Sequence, residues 1–116
     1  MKMTRIIHQG LLESGRWFKM SLVEQMANIG ADVGRALQWK EKSDFVASQQ
    51  AFERALELID FTVADPKNRG RLKEVLRMRE FLADFFVGEN QYGFTNDAWQ
   101  QYFYYFGYAA AIQRGR

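Results

Sequence analysis

The residues that carry most enzyme chemistry are nearly missing from this 116-residue chain, which has one histidine, His8, and no cysteine. Without cysteine there is no disulfide framework and no thiolate nucleophile, and one histidine cannot build a Cys/His zinc site. Paired histidines or a Glu-x-x-His motif, which a di-iron helical bundle needs, are absent too. A P-loop, a Gly-rich dinucleotide turn and a G-x-S-x-G elbow are likewise not found. No catalytic, metal or cofactor site is therefore assigned, and no cofactor is expected. Glu53, Glu57 and Asp60 stand at i, i+4 and i+7 along one side of a helix. Such a row could ligate a divalent cation, but a solvated flank or ion pairs to a neighbouring basic helix explain it as well.

A sharper signal is the switch from acid to base along the chain. Residues 44–65 carry one cation and five carboxylates, whereas residues 66–80 carry six cations and two carboxylates. Lys67, Arg69, Arg71 and Lys73 crowd the expected start of a helix, where the macrodipole disfavours cations by about 0.3–1 kcal/mol each. Free backbone N–H groups flanked by arginines would suit phosphate, and hence nucleic-acid backbone without base specificity. The alternative is a solvated turn whose charges pair with the preceding acidic helix. Arg79 falls by helical angle between Val75, Leu76, Leu82 and Phe86, so it is a candidate for a buried ion pair, with Asp60, Glu57 or Asp84 as its partner.

The third signal is aromatic. In "WQQYFYYFGYAAA", residues 99–111, a turn of 100° per residue puts Trp99, Tyr102, Phe103, Phe106 and Ala110 on one core stripe. Tyr104, Tyr105 and Tyr108 fall on the other side, and Phe81 and Phe85 also lean outward from their helix. These five residues are the candidate interface. Tyrosine is amphipathic and enriched in interface cores, so a second copy of the chain, in a two-fold homodimer, is the expected cover. The N-terminal stretch "RIIHQGLL" folding back over the tyrosines is the competing one.

The elements that position these groups read as helices throughout, since the chain has one proline and sustained 3.6-residue periodicity. The first helix is expected from Arg16 to Lys42, with Leu22, Met26, Ile29, Val33 and Leu37 on one stripe and the small residues Ala27, Gly30 and Gly34 beside it. Close approach of another helix is the expected reason for two helical glycines. Ser43 or Asp44 caps the second helix, which is expected to bury Phe45, Phe52, Leu56, Ile59 and Val63. Asp65-Pro66 ends it and starts a third, to Val87, burying Leu72, Val75, Leu76, Leu82 and Phe86 and stopped by Gly88. Thr95 or Asn96 caps the fourth. The expected fold is one all-α domain, an up-down-up-down four-helix bundle, with residues 1–15 as an N-terminal extension and 112–116 as a frayed tail.

The stretch 42–58, "KSDFVASQQAFERALEL", resembles the second half of a tetratricopeptide repeat, with Ser48, Phe52 and Ala55 at that motif's small, aromatic and small positions. It departs where Asp60 replaces the closing proline and where no second copy follows. Over "SLVEQMANIGADVGRA", "AFERALEL" and "ADPKNRGRLKEV" the chain is similar to a set of small all-helical prokaryotic proteins without an assigned activity. That similarity implies a bacterial or archaeal origin and no reaction. A bundle of this size also invites comparison with HEPN-type ribonucleases, but their Arg-then-His pattern on one helix is not present. The combined reading is a non-catalytic, self-associating interaction module, with nucleic-acid binding as the alternative. No apolar run is long enough to span a membrane and no signal-peptide core is seen, so a cytoplasmic setting is expected.

Overall fold

The computed structural model describes residues 7–115. Six α-helices follow in order: α1 Gln9–Ser14, α2 Arg16–Lys19, α3 Leu22–Glu41, α4 Phe45–Ala64, α5 Leu72–Phe86 and α6 Asn96–Arg114, with a 3-10 helix over Pro66–Arg71. No strand occurs among the described residues, so the chain is all-α, with four long helices.

The expected first helix is broken. Met20 is extended (φ −79°, ψ 147°) and Ser21 restarts the helix with a capping box. Ser21 Oγ accepts from the Glu24 N–H at 3.2 Å while Glu24 Oε1 accepts from the Ser21 N–H at 3.1 Å. This reciprocal pair satisfies two backbone donors that a helix start leaves unbonded. The sequence S-L-V-E is the signature of that box, so the break was legible and is a correction to the continuous reading.

A short link with Ser43 at φ +61° turns the chain back, and Asp44 caps α4 by accepting from the Ala47 N–H at 3.0 Å. The α3–α4 pair is the centre of the molecule: α6 packs on α3 and α5 packs on α4. At the α3–α6 contact a Cβ on Gly30 would lie 2.8 Å from Phe103 Cβ, so close approach explains this glycine. It does not explain Gly34, whose Cβ would meet nothing. α5 and α6, which the expected up-down-up-down bundle would set side by side, are separated by a groove of about 300 Å³ lined by Met78, Phe81 and Trp99.

Most of the stripes expected on α3 and α6 are buried, with Met26, Ile29, Val33, Leu37, Trp99, Phe103 and Ala110 inside, but Leu22 and Phe106 are half-buried and Tyr102 is exposed at the edge of its stripe. On α4 the buried face is rotated. Ser48, Ala51, Phe52, Ala55, Leu58, Ile59 and Thr62 point inward, while Phe45 is 65% exposed. Small residues at 48, 51 and 55 let α4 lie close to α3, where Ser48 Oγ donates to the Ala36 carbonyl at 2.9 Å. On α5, Leu76 is exposed and Met78 and Phe85 are buried instead.

A buried polar network locks the start of α3 to the end of α4. Gln25 Nε2 donates to the Trp17 carbonyl and to Asp65 Oδ2, both at 2.9 Å, and Gln25 Oε1 accepts from Asn68 Nδ2 at 2.8 Å. Asn68 also donates to the Thr62 carbonyl at 3.1 Å, and Trp17 Nε1 to Thr62 Oγ1 at 3.2 Å. Satisfied in this way, buried amides and hydroxyls fix one geometry rather than opposing the fold. The 3-10 winding after Pro66, tighter than the expected α-helix, carries Asn68 into this network. No helix among the described residues is long and apolar enough to cross a membrane.

Candidate functional site

The tyrosines expected to face outward do so. Tyr104, Tyr105 and Tyr108 are 68%, 73% and 59% exposed, Tyr104 stacks on Tyr108 with ring centroids 6.3 Å apart, and the exposed Ile112 continues the row. α6 is helical through Arg114, so residues 112–114 extend this face rather than fray. The other two members of the candidate interface are placed differently. Phe85 is buried, edge-on to Phe86 at 5.1 Å, with the Lys40 ammonium 3.9 Å from its ring centroid. Phe81 is half-buried because the loop between α5 and α6 folds back on it, putting the Tyr92 and Phe94 rings at 4.5 and 5.2 Å. Asp84 holds that loop by accepting from the Gln91 and Tyr92 N–H groups at 2.9 and 3.1 Å. Asp84 is therefore occupied with the loop, and Arg79 pairs with Asp60 instead, Nε to Oδ1 at 2.9 Å. Neither side chain of that pair is buried, which corrects the expectation of a buried one.

The four cations Lys67, Arg69, Arg71 and Lys73 are all exposed, but two are engaged. Lys67 Nζ donates to the Asp65 carboxylate and, at 3.0 Å, to the Phe18 carbonyl. Arg71 donates from Nε and Nη2 to Glu74 Oε2 at 3.1 and 2.7 Å. The start of this segment is a 3-10 helix already capped by Asp65, whose side chain accepts from the Lys67 N–H at 3.2 Å. An anion would meet no vacant helix terminus there.

A cavity of about 610 Å³ lies elsewhere, between α3 and α4. Its size is that of a small-molecule site. Asn28, Asp32, Arg35 and Trp39 supply one wall at steps of four, three and four, and Gln50 and Arg54 supply the facing wall from α4. His8 closes one end. Arg5 and Ile6 of the N-terminal stretch lie outside the described residues, and its described part lies against α4 rather than over the tyrosines: the Ile7 N–H donates to Glu57 Oε2 at 2.8 Å, and both the His8 N–H and its ring bond Glu57 Oε1. His8 Nδ1 is 2.9 Å from that oxygen. Because a carboxylate can only accept, Nδ1 carries the proton in this contact. Nε2, on the other side of the ring, is 4.0 Å from Asp32 Oδ2.

Asp32 is a buried charge on the cavity wall. Burial pushes its carboxyl above the usual aspartate value, and Arg35, His8 and Arg54 offset this only in part. Arg35 Nη1 donates to Asp32 Oδ1, whereas Arg54 has no ion-pair partner among the described residues. Of the acidic row, Glu57 is taken by the N-terminal segment and Asp60 by Arg79, and no group able to hold a metal ion is found among the described residues. Sequence reading passed over this cavity, although Asn28, Asp32, Arg35 and Trp39 repeat the same four-three-four step as the apolar stripe beside them. Comparison with family models, curated proteins and solved structures finds no match to the chain.

Proposed function

We propose that this chain is a non-catalytic interaction module that self-associates as a homodimer through the outer face of α6, on an up-down-up-down scaffold opened between α5 and α6. The observation that carries the reading is the exposed ridge of Tyr104, Tyr105, Tyr108 and Ile112, four large side chains in helical register on one face. Tyrosines provide apolar area at low entropic cost and keep their hydroxyls wet at the rim, which suits a surface that must be stable in both free and bound states. A two-fold axis across α6 would set this ridge against its own copy. Phe81 and Phe85 have no part in it, being covered from within the chain.

Light scattering over a concentration series tests this. A dimer that dissociates in Tyr105→Glu and Tyr108→Glu, with helicity retained, is the expected result; a monodisperse monomer at every concentration would refute it. Nucleic-acid binding at Lys67, Arg69, Arg71 and Lys73 is the second reading, favoured by the exposure of all four side chains. With Lys67 and Arg71 already paired, two cations remain, so retention on RNA should fall only shallowly with salt. Arg69→Glu should abolish what retention there is.

A further inference from the structure

We propose that the cavity between α3 and α4 is a binding site for a nucleoside monophosphate, with the phosphate between Arg35 and Arg54 and the base against Trp39. Three observations converge on it. The first is an arginine without a carboxylate: Arg54 lines the cavity and is exposed, yet pairs with nothing among the described residues. Arg35, facing it from α3, uses Nη1 to bond Asp32 Oδ1, which fixes the guanidinium and leaves its other donors free. Two guanidinium groups facing one space, one of them held in place, are suited to the bidentate recognition of a phosphate.

The second observation is Trp39. The other two tryptophans of the chain, Trp17 and Trp99, are fully buried, whereas Trp39 keeps 40% of its surface open at the cavity mouth. Core packing does not require a tryptophan there, and a planar ring on a cavity wall is a stacking platform for any base. Trp39 follows Arg35 by four residues, one helical turn, so the ring lies about 6 Å further along α3 on the same face. One ribose covers that step. Gln50, on the opposite wall, offers an amide that can both donate to and accept from a base edge. The Lys42 ammonium already lies over the Trp39 ring, 5.3 Å from its centroid, so the base would take the ring's other face.

The third observation limits the number of phosphates. Past Arg35, away from Trp39, the α3 wall runs on to Asp32, with His8 and its partner Glu57 beside it, before it reaches Asn28. A single phosphate meets the two guanidinium groups; a second one extended inward would run against two carboxylates. The site therefore selects a monophosphate over a diphosphate at its inner end.

The test uses the full chain and ¹⁵N NMR, reading the Trp39 indole N–H and the Arg35 and Arg54 Nε–H signals during titration with the four common ribonucleoside monophosphates. At least one should shift these signals saturably, with inorganic phosphate and adenosine each binding at least about tenfold more weakly, as expected when one charge-assisted contact set or the stack is missing. Arg54→Gln should weaken binding about tenfold or more while costing little stability, since Arg54 makes no ion pair among the described residues and acts on Asp32 only at a distance. Arg35→Gln is the harsher variant because it also frees Asp32, and Trp39→Leu removes the stack without touching either arginine. The proposal is overturned if no monophosphate shifts the Trp39 and arginine signals at millimolar concentration. It is equally overturned if Arg54→Gln binds like the parent, if inorganic phosphate binds as tightly as the nucleotides, or if diphosphates bind more tightly than monophosphates.

Discussion

Two tryptophans buried to the same extent have opposite polar accounts. Trp17 Nε1 donates to Thr62 Oγ1, whose own hydroxyl donates to the Leu58 carbonyl at 2.8 Å. Trp99 Nε1 is the one buried side-chain polar atom without a partner among the described residues. Replacing Trp17 by Phe leaves the Thr62 oxygen without its donor, at a cost of about 1–3 kcal/mol beyond the lost packing. Replacing Trp99 by Phe removes an unbonded N–H whose burial costs a similar amount, so loss of ring volume is largely offset. Urea midpoints should therefore fall clearly for Trp17→Phe and little for Trp99→Phe; equal losses would contradict this account. Neither outcome could be read from the sequence, because the polar difference between the two residues is a contact made 45 residues away. The same holds for Gln25 and Asn68: their spacing marks nothing, and only the fold brings them within 2.8 Å. Asp65 was legible as a cap because Pro66 follows it, but not as the hub of a buried network.

At the scale of elements, caps and stripes carried most of the information, and small residues carried the rest ambiguously. The four long helices, the Asp44, Asp65 and Thr95 caps and the core faces of α3 and α6 follow from local pattern. The α4 face did not, since large apolar residues at 45 and 56 outweighed Ser48, Ala51 and Ala55, and close helix packing favours the small ones. The two helical glycines of α3 show why such a row cannot be weighed from sequence. At Gly30 an added methyl collides with Phe103 Cβ and Cδ1 at 2.8 and 2.9 Å, and both belong to a buried side chain that cannot swing away. Gly30→Ala should cost about 1–3 kcal/mol as α6 is pushed off α3. Gly34→Ala meets open space and should gain up to about 1 kcal/mol from helix propensity alone. Chemical denaturation of the two variants, one destabilised and one stabilised, checks the α3–α6 geometry directly; a loss at Gly34 or a neutral effect at Gly30 would mean that the helices cross elsewhere.

For the whole molecule, two buried aspartates set stability against pH with opposite signs. Burial tends to raise the Asp65 carboxyl, but hydrogen bonds from Lys67 and Gln25 outweigh it and hold the group below its ordinary value of 3.8. The folded state therefore prefers ionised Asp65, and this contribution is complete above pH 3.8 and lost as pH falls through the depressed value. Asp32 is the reverse case: burial raises it, so the folded state prefers the protonated form, and that contribution is present below pH 3.8 and lost as pH rises through the raised value. Asp65→Asn should lower stability near pH 7 by about 2–3 kcal/mol, because Lys67 and Gln25 lose the charge that they solvate. Asp32→Asn should be at least as stable as the parent near pH 7, since the neutral amide avoids the charge-burial cost. Both variants then converge on the parent in acid, from opposite sides and in different windows, Asp32→Asn as pH drops toward 3.8 and Asp65→Asn only below it. Guanidinium midpoints for the three proteins between pH 2.5 and 7.5 measure these differences. A gap for Asp65→Asn that closes above pH 3.8, or an Asp32→Asn that is the less stable protein at neutral pH, would show that the charges of Asp32, midway along α3, and of Asp65, at the end of α4, are held otherwise.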